Sequence, residues 1–175
     1  MKKLNLKTII LAILIMVVGQ QSYSQISKVE IVATGLTCSM CSKSINNQLK
    51  AIAEVDSINT DLNTNTFIVF LKKGSNIKPR TLKERVEKAG FFVGSMIATM
   101  TFDNLKIEDN SIFNKDGLNL IFVDPKTKIL NGKIRLKILD RGFVTQKEYK
   151  RNLKNLSKYP SYNNNNKEES HITII

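Results

Sequence analysis

The chain has no tryptophan, three prolines, two cysteines and one histidine. Each scarcity removes a class of explanation. Cys38 and Cys41 share one short stretch, so a bridge between them would close almost no chain. A disulfide framework is therefore excluded as the source of stability. A structural zinc site wants four ligands, and His171 is distant in sequence from both cysteines. The C-terminal third shows no second cysteine pair, no acid–base cluster and no phosphate-cradling loop. The longest apolar run, Thr8 to Val18, is about eleven residues, whereas a membrane-spanning helix needs roughly twenty.

What is present is a basic chain of 175 residues, 42% hydrophobic. That suits one or two small folded domains. The formal charge of +12 overstates a binding surface. The lysines are scattered among Asn and Ile, without the clustered Lys/Arg and interleaved aromatics of a nucleic-acid surface. No nucleic-acid partner is expected.

The N-terminus reads as an address. Lys2, Lys3 and Lys7 precede the apolar run, and Ser22-Tyr23-Ser24 ends the segment with small residues at alternate positions. This is the layout of a secretory signal, residues 1–24, with cleavage expected after Ser24. The mature protein is then expected in the periplasm, touching the membrane only through the signal before cleavage. An uncut signal would leave it membrane-anchored. No cysteine follows the apolar run, so a lipid anchor has no attachment point.

The stretch Gly35-Leu36-Thr37-Cys38-Ser39-Met40-Cys41 sits where β-like alternation gives way to helical spacing. Lys28 to Thr34 predicts a strand. From Ser39 to about Ala53, Cys41, Ile45, Leu49 and Ile52 fall on one helix face. Glu54 to Leu62 predicts a second strand and Asn63-Thr64-Asn65 a turn. Thr66 to Lys72 predicts a third strand, whose unbroken apolar run suggests burial on both faces. A second helix starts near Pro79 and stops at Gly90. Phe92 to Phe102 predicts a fourth strand. The order is a ferredoxin-like βαββαβ unit in an α+β protein, assigned to residues 26–101.

Fold does not give function; the chemistry lies with the two sulfurs. A helix start leaves backbone N–H groups free and favours negative charge. That lowers thiol pKa. Two soft thiolates without added imidazole or carboxylate suit one soft, low-coordinate ion, above all Cu(I); Hg(II) and Zn(II) rank behind it. Cys38 and Cys41 are the metal-site residues. An under-coordinated ion can be passed on as an incoming sulfur adds, which describes a carrier, not an enzyme.

Gly35 to Cys41, then Ile45, Leu49, Val55 and Ile58, and Val86-Glu87-Lys88-Ala89-Gly90-Phe91 together resemble the heavy-metal-associated domain. That family includes copper chaperones, N-terminal modules of copper-exporting P-type ATPases and the periplasmic mercury-binding protein. The resemblance spans Ile26 to Thr101. It implies one soft ion held by Cys38 and Cys41, with a metal donor or acceptor as partner, such as a copper-transporting ATPase or an envelope cuproprotein. The family loop usually reads Gly-Met-Thr-Cys; Leu36 stands at the Met place and should pack similarly. Phe91 falls where relatives carry an aromatic or a lysine.

Other residues read more plainly. Met40 is expected to be exposed or packing, Met96 and Met100 packing, Lys43 a solvated lysine or a helper of thiolate formation, and His171 solvated in a polar tail. Two rival functions stand beside metal transfer. One is a thiol–disulfide oxidoreductase, since CxxC at a helix start is also redox geometry; Pro79, Pro125 and Pro160 all lie away from the cysteines. The other is a metal-sensing interaction module of the cell envelope.

Residues 102–158 are expected to form a small β-rich extension. Asp103 to Gly117 reads as a connector and Leu118 to Asp124 as a strand. The Asn131-Gly132 pair between Leu130 and Ile134 signals a hairpin. Thr145 with Glu148 fits a capping box before a short helix. Residues 159–175, with the Asn163–Asn166 run, are expected to be disordered. The extension is expected to lie on the sheet face toward which either Ile68 and Phe70, or Phe67, Val69 and Leu71, point.

Overall fold

The computed structural model describes residues 25–115, 117–164, 166 and 168–175. The expected signal, residues 1–24, lies outside them. The described strands are β1 (Ile26–Thr34), β2 (Val55–Asp61), β3 (Thr66–Leu71), β4 (Phe92–Lys106), β5 (Ile112–Lys115), β6 (Leu118–Phe122), β7 (Ile129–Ile138) and β8 (Glu169–Ile174). The helices are α1 (Ser39–Lys50), α2 (Pro79–Lys88), α3 (Gln146–Asn155) and α4 (Pro160–Asn163). None is long and apolar enough to cross a membrane.

All eight strands form one sheet in the order β2-β3-β1-β4-β7-β8-β6-β5. The first half is the βαββαβ unit. Its β1 pairs antiparallel with both β3 and β4. The second half grows from the free edge of β4, against which β7 lies antiparallel. Among the described strands, only β6 and β8 pair in parallel.

The fold therefore places the extension beside the first sheet, in its plane, and not on its face as expected. β4 itself crosses residue 101 and runs to Lys106, so part of the expected connector is strand. Another part, Ile112–Lys115, is β5. The core is shared: Val29, Phe67, Met96, Leu136, Ile172 and Phe122 belong to one buried cluster. Met96 and Met100 are in it, as packing residues.

Three local expectations fail for identifiable reasons. β3 alternates: Phe67, Val69 and Leu71 are buried, while Ile68 and Phe70 turn to the opposite face and are half-buried. An apolar run shows that a face is tolerated by water poorly, not that something covers it.

Asn131-Gly132 makes no hairpin. Gly132 sits inside β7 with φ +78°, paired with Phe102, and the next register pair is Leu105 with Leu130. Asp103 and Asn104 thus oppose the single residue Asn131, which is a β-bulge. Asn104 takes φ +45° there. The same positive-φ chemistry serves a bulge or a turn.

Among its described residues the expected disordered tail carries α4 and β8. Tyr159 and Tyr162 are buried beside Val123, Leu139 and Tyr149, and β8 lies between β7 and β6. The Asn run masks an alternating strand, since Ile172 faces the main core and His171 the opposite side. His171 is 3% exposed, which corrects its reading as a solvated residue.

Candidate metal centre

The site is built where β1 ends. Gly35 has φ +87°, a left-handed conformation that a side chain would strain. It turns the chain out of the sheet. A Cβ placed there would lie 3.9 Å from the Phe91 ring, so Phe91 backs the loop from the end of α2. Leu36 packs against the main core and roots the loop, the role expected of it.

Cys38 follows in extended conformation (φ −153°) as the N-cap of α1, with no side-chain cap hydrogen bond. Its carbonyl accepts from the Cys41 N–H at 3.1 Å. That first helical turn brings the Cys38 and Cys41 sulfurs to 2.7 Å of each other. Both cysteines are free; Cys38 is exposed and Cys41 half-buried. No acidic residue lies in the first turn of α1, so nothing on that turn opposes the positive helix end.

The Cys41 thiol is held below its ordinary value. The Cys38 sulfur is the main cause, followed by the Thr37 backbone amide. Thr37 was not singled out in the sequence; a donor directly before a cysteine at a helix start is the signal that could have found it. A groove of about 310 Å³ beside Cys38 is lined by Leu36, Thr37, Ser39, Ser42, Leu62 and Asn65. Met40, 69% exposed, stands between the cysteines and touches solvent. Lys43 is exposed on α1.

Among the described residues, no group of three or more His, Cys, Asp or Glu is placed to hold a metal ion. His171 sits on β8, with β4 and β7 between it and β1. The site is thus an open pair of sulfurs at a helix start. Such a pair offers soft donors and leaves further coordination positions to an incoming ligand.

Comparison with known proteins matches the segment that holds this loop. The family model described as the heavy-metal-associated domain matches residues 31–92. No curated protein matches the chain. Among solved structures, the yeast copper transporter domain Ccc2a is 32% identical, covering 37% of this chain and 88% of that one, with TM-score 0.34. A copper binding domain from HMA7, a P-type ATPase, is 31% identical over 37% of this chain and 86% of that one, TM-score 0.34. CopA from Bacillus subtilis is 27% identical over 40% of this chain and 91% of that one, TM-score 0.34. Through the segment that carries Cys38 and Cys41, the chain belongs to the heavy-metal-associated domain family.

Proposed function

We propose that this protein binds one soft metal ion, Cu(I), between Cys38 and Cys41 and passes it to a partner. The carrying observation is the convergence of two accessible sulfurs at a helix N-terminus, with the Cys41 thiol depressed. Thiolate is the ligand form, so depression makes the site available near neutral pH. Hg(II) is the second candidate and Zn(II) the third, on the same donor set.

Exposure suits transfer. A partner sulfur can reach the ion from the Cys38 side before either cysteine lets go. A partner of this chemistry is a copper-transporting ATPase or an envelope cuproprotein. At this loop the chain acts as a carrier and not as a catalyst. The location we propose is the periplasm, on the strength of the basic, then apolar, then small-residue N-terminus. N-terminal sequencing of the exported chain should then begin at Gln25; a chain beginning at Met1 overturns the location.

The binding test is titration of the reduced protein with Cu(I) against a competing chelator. One ion per chain is expected. The paired change Cys38→Ser and Cys41→Ser should abolish it; unchanged binding sinks the proposal.

A further inference from the structure

A second chemical constellation lies in the other half of the sheet. Asp140 follows β7, Ser161 lies in α4, and His171 lies in β8. The Asp140 carboxylate grips the histidine twice. Oδ2 accepts from the His171 backbone N–H at 2.7 Å, and Oδ1 is 2.8 Å from Nδ1. On the far side of the ring, Nε2 is 2.9 Å from the Ser161 hydroxyl.

The proton positions follow from the partners. A carboxylate only accepts, so Nδ1 carries the ring proton. In the neutral ring Nε2 then holds a lone pair, and the Ser161 O–H donates to it. A nucleophile within reach of a base, and a base oriented by a third group, are two of the geometric features of an activated serine.

The surroundings fix the ring and leave the serine reachable. The His171 side chain is 4% exposed and that of Asp140 21%. The Tyr162 ring stands edge-on to the imidazole at 5.1 Å, and its hydroxyl donates to the Leu139 carbonyl at 2.6 Å. Ser161 is half-buried. None of this is needed to hold a metal at Cys38 and Cys41.

We propose that Ser161 and His171, positioned by Asp140, form a nucleophilic centre for small activated acyl esters. Ser161 Oγ attacks the acyl carbon as its proton passes to Nε2. The bond to the leaving oxygen breaks, and that oxygen takes the proton from Nε2. Water then loses a proton to Nε2 and attacks the seryl ester. The carboxylic acid leaves, Ser161 regains its proton, and ester plus water has become acid plus alcohol. A positioned general base supplies roughly 10²–10⁴-fold, so an ester with a good leaving group is the right probe.

The test uses the full mature chain with its two cysteines capped by iodoacetamide, because thiols also consume such esters. Steady turnover of p-nitrophenyl acetate should fall about 100-fold or more in Ser161→Ala, while thermal unfolding stays close to the parent. Phenylmethanesulfonyl fluoride should add its sulfonyl group to the Ser161 peptide by mass spectrometry. Asp140→Asn should lower kcat and leave KM near its parent value, as a positioning role requires. Equal turnover in Ser161→Ala, or sulfonylation spread over other residues with none at Ser161, overturns the proposal. The three side chains are then a clasp joining β7, α4 and β8.

Discussion

Cys38 and Cys41 stand on different footings. Cys41 is fixed in the first turn of α1, while Cys38 belongs to the exposed loop before it. The Cys38 sulfur is the largest influence lowering the Cys41 thiol. Cys38→Ala should therefore move the pH profile of Cys41 alkylation upward and slow labelling at neutral pH, as followed by mass spectrometry of the modified peptide. An unmoved profile would assign the depression to the helix end and the Thr37 amide. The adjacency of Cys38, Cys41, Leu36 and Phe91 was legible because the loop and the helix ends carry particular residue types at fixed spacing. Asp140, Ser161 and His171 were not legible as a set. They come from separated elements, and only the folded sheet brings them together.

Glu30 gives a second test at this scale. Burial alone would raise its carboxyl, but the Lys28 hydrogen bond and the charges of Arg135 and Lys28 outweigh it and hold it below its ordinary value. A lowered folded pKa adds stability above the unfolded value of about 4.3 and loses it as pH falls through the folded one. Glu30→Gln should flatten the acid limb of a stability–pH curve measured by urea unfolding. Because Arg135 reaches Glu30 across β4 at 2.9 Å, the same substitution loosens the seam between the two halves of the sheet. A curve as steep as the parent's below pH ~4.3 would remove Glu30 from the account.

Among the elements, those with a clean period and a clear stop were readable. Pro79 opens α2 and Gly90 follows its end; the strand–helix order of residues 26–101 came through for that reason. Thr145 caps α3, as its spacing to Glu148 predicts: its side chain accepts from the Glu148 N–H at 3.2 Å. Glu148 does not complete a reciprocal box, since its carboxylate pairs with Lys137 at 2.6 Å. Thr145→Ala should cost about 1 kcal/mol, measured as a shift in the urea midpoint. No shift would mean that the Lys137 pair alone seats α3. Asn131-Gly132 predicts a hairpin and forms a bulge instead, because a local signal for positive φ does not say whether the partner strand lies before or after it. β7 pairs backward with β4, not onward into a hairpin.

The whole molecule depends on a strand that composition hid. Ile172, in β8, is 1% exposed and lies in the same core cluster as Val29 and Phe67 of the metal-binding half. Ile172→Ala should cost about 2–4 kcal/mol, near 10 °C in Tm for a chain of this size. Because the core is continuous, unfolding should stay a single transition, with calorimetric and van't Hoff enthalpies equal. Two resolved transitions would show that the halves fold separately. The sheet that carries the metal loop thus extends, through β4 and β7, to residues near the C-terminus. Sequence periodicity could not show this, because edge-to-edge joining of strands leaves no mark on either segment alone.

X-ray absorption at the copper edge of the Cu(I)-loaded protein reads the ligands of the bound ion. A cuprous edge is expected, with sulfur as the only ligand type and about two sulfurs per copper. A site dominated by nitrogen or oxygen ligands, or the same spectrum after Cys38→Ser and Cys41→Ser, would contradict Cu(I) binding by this pair.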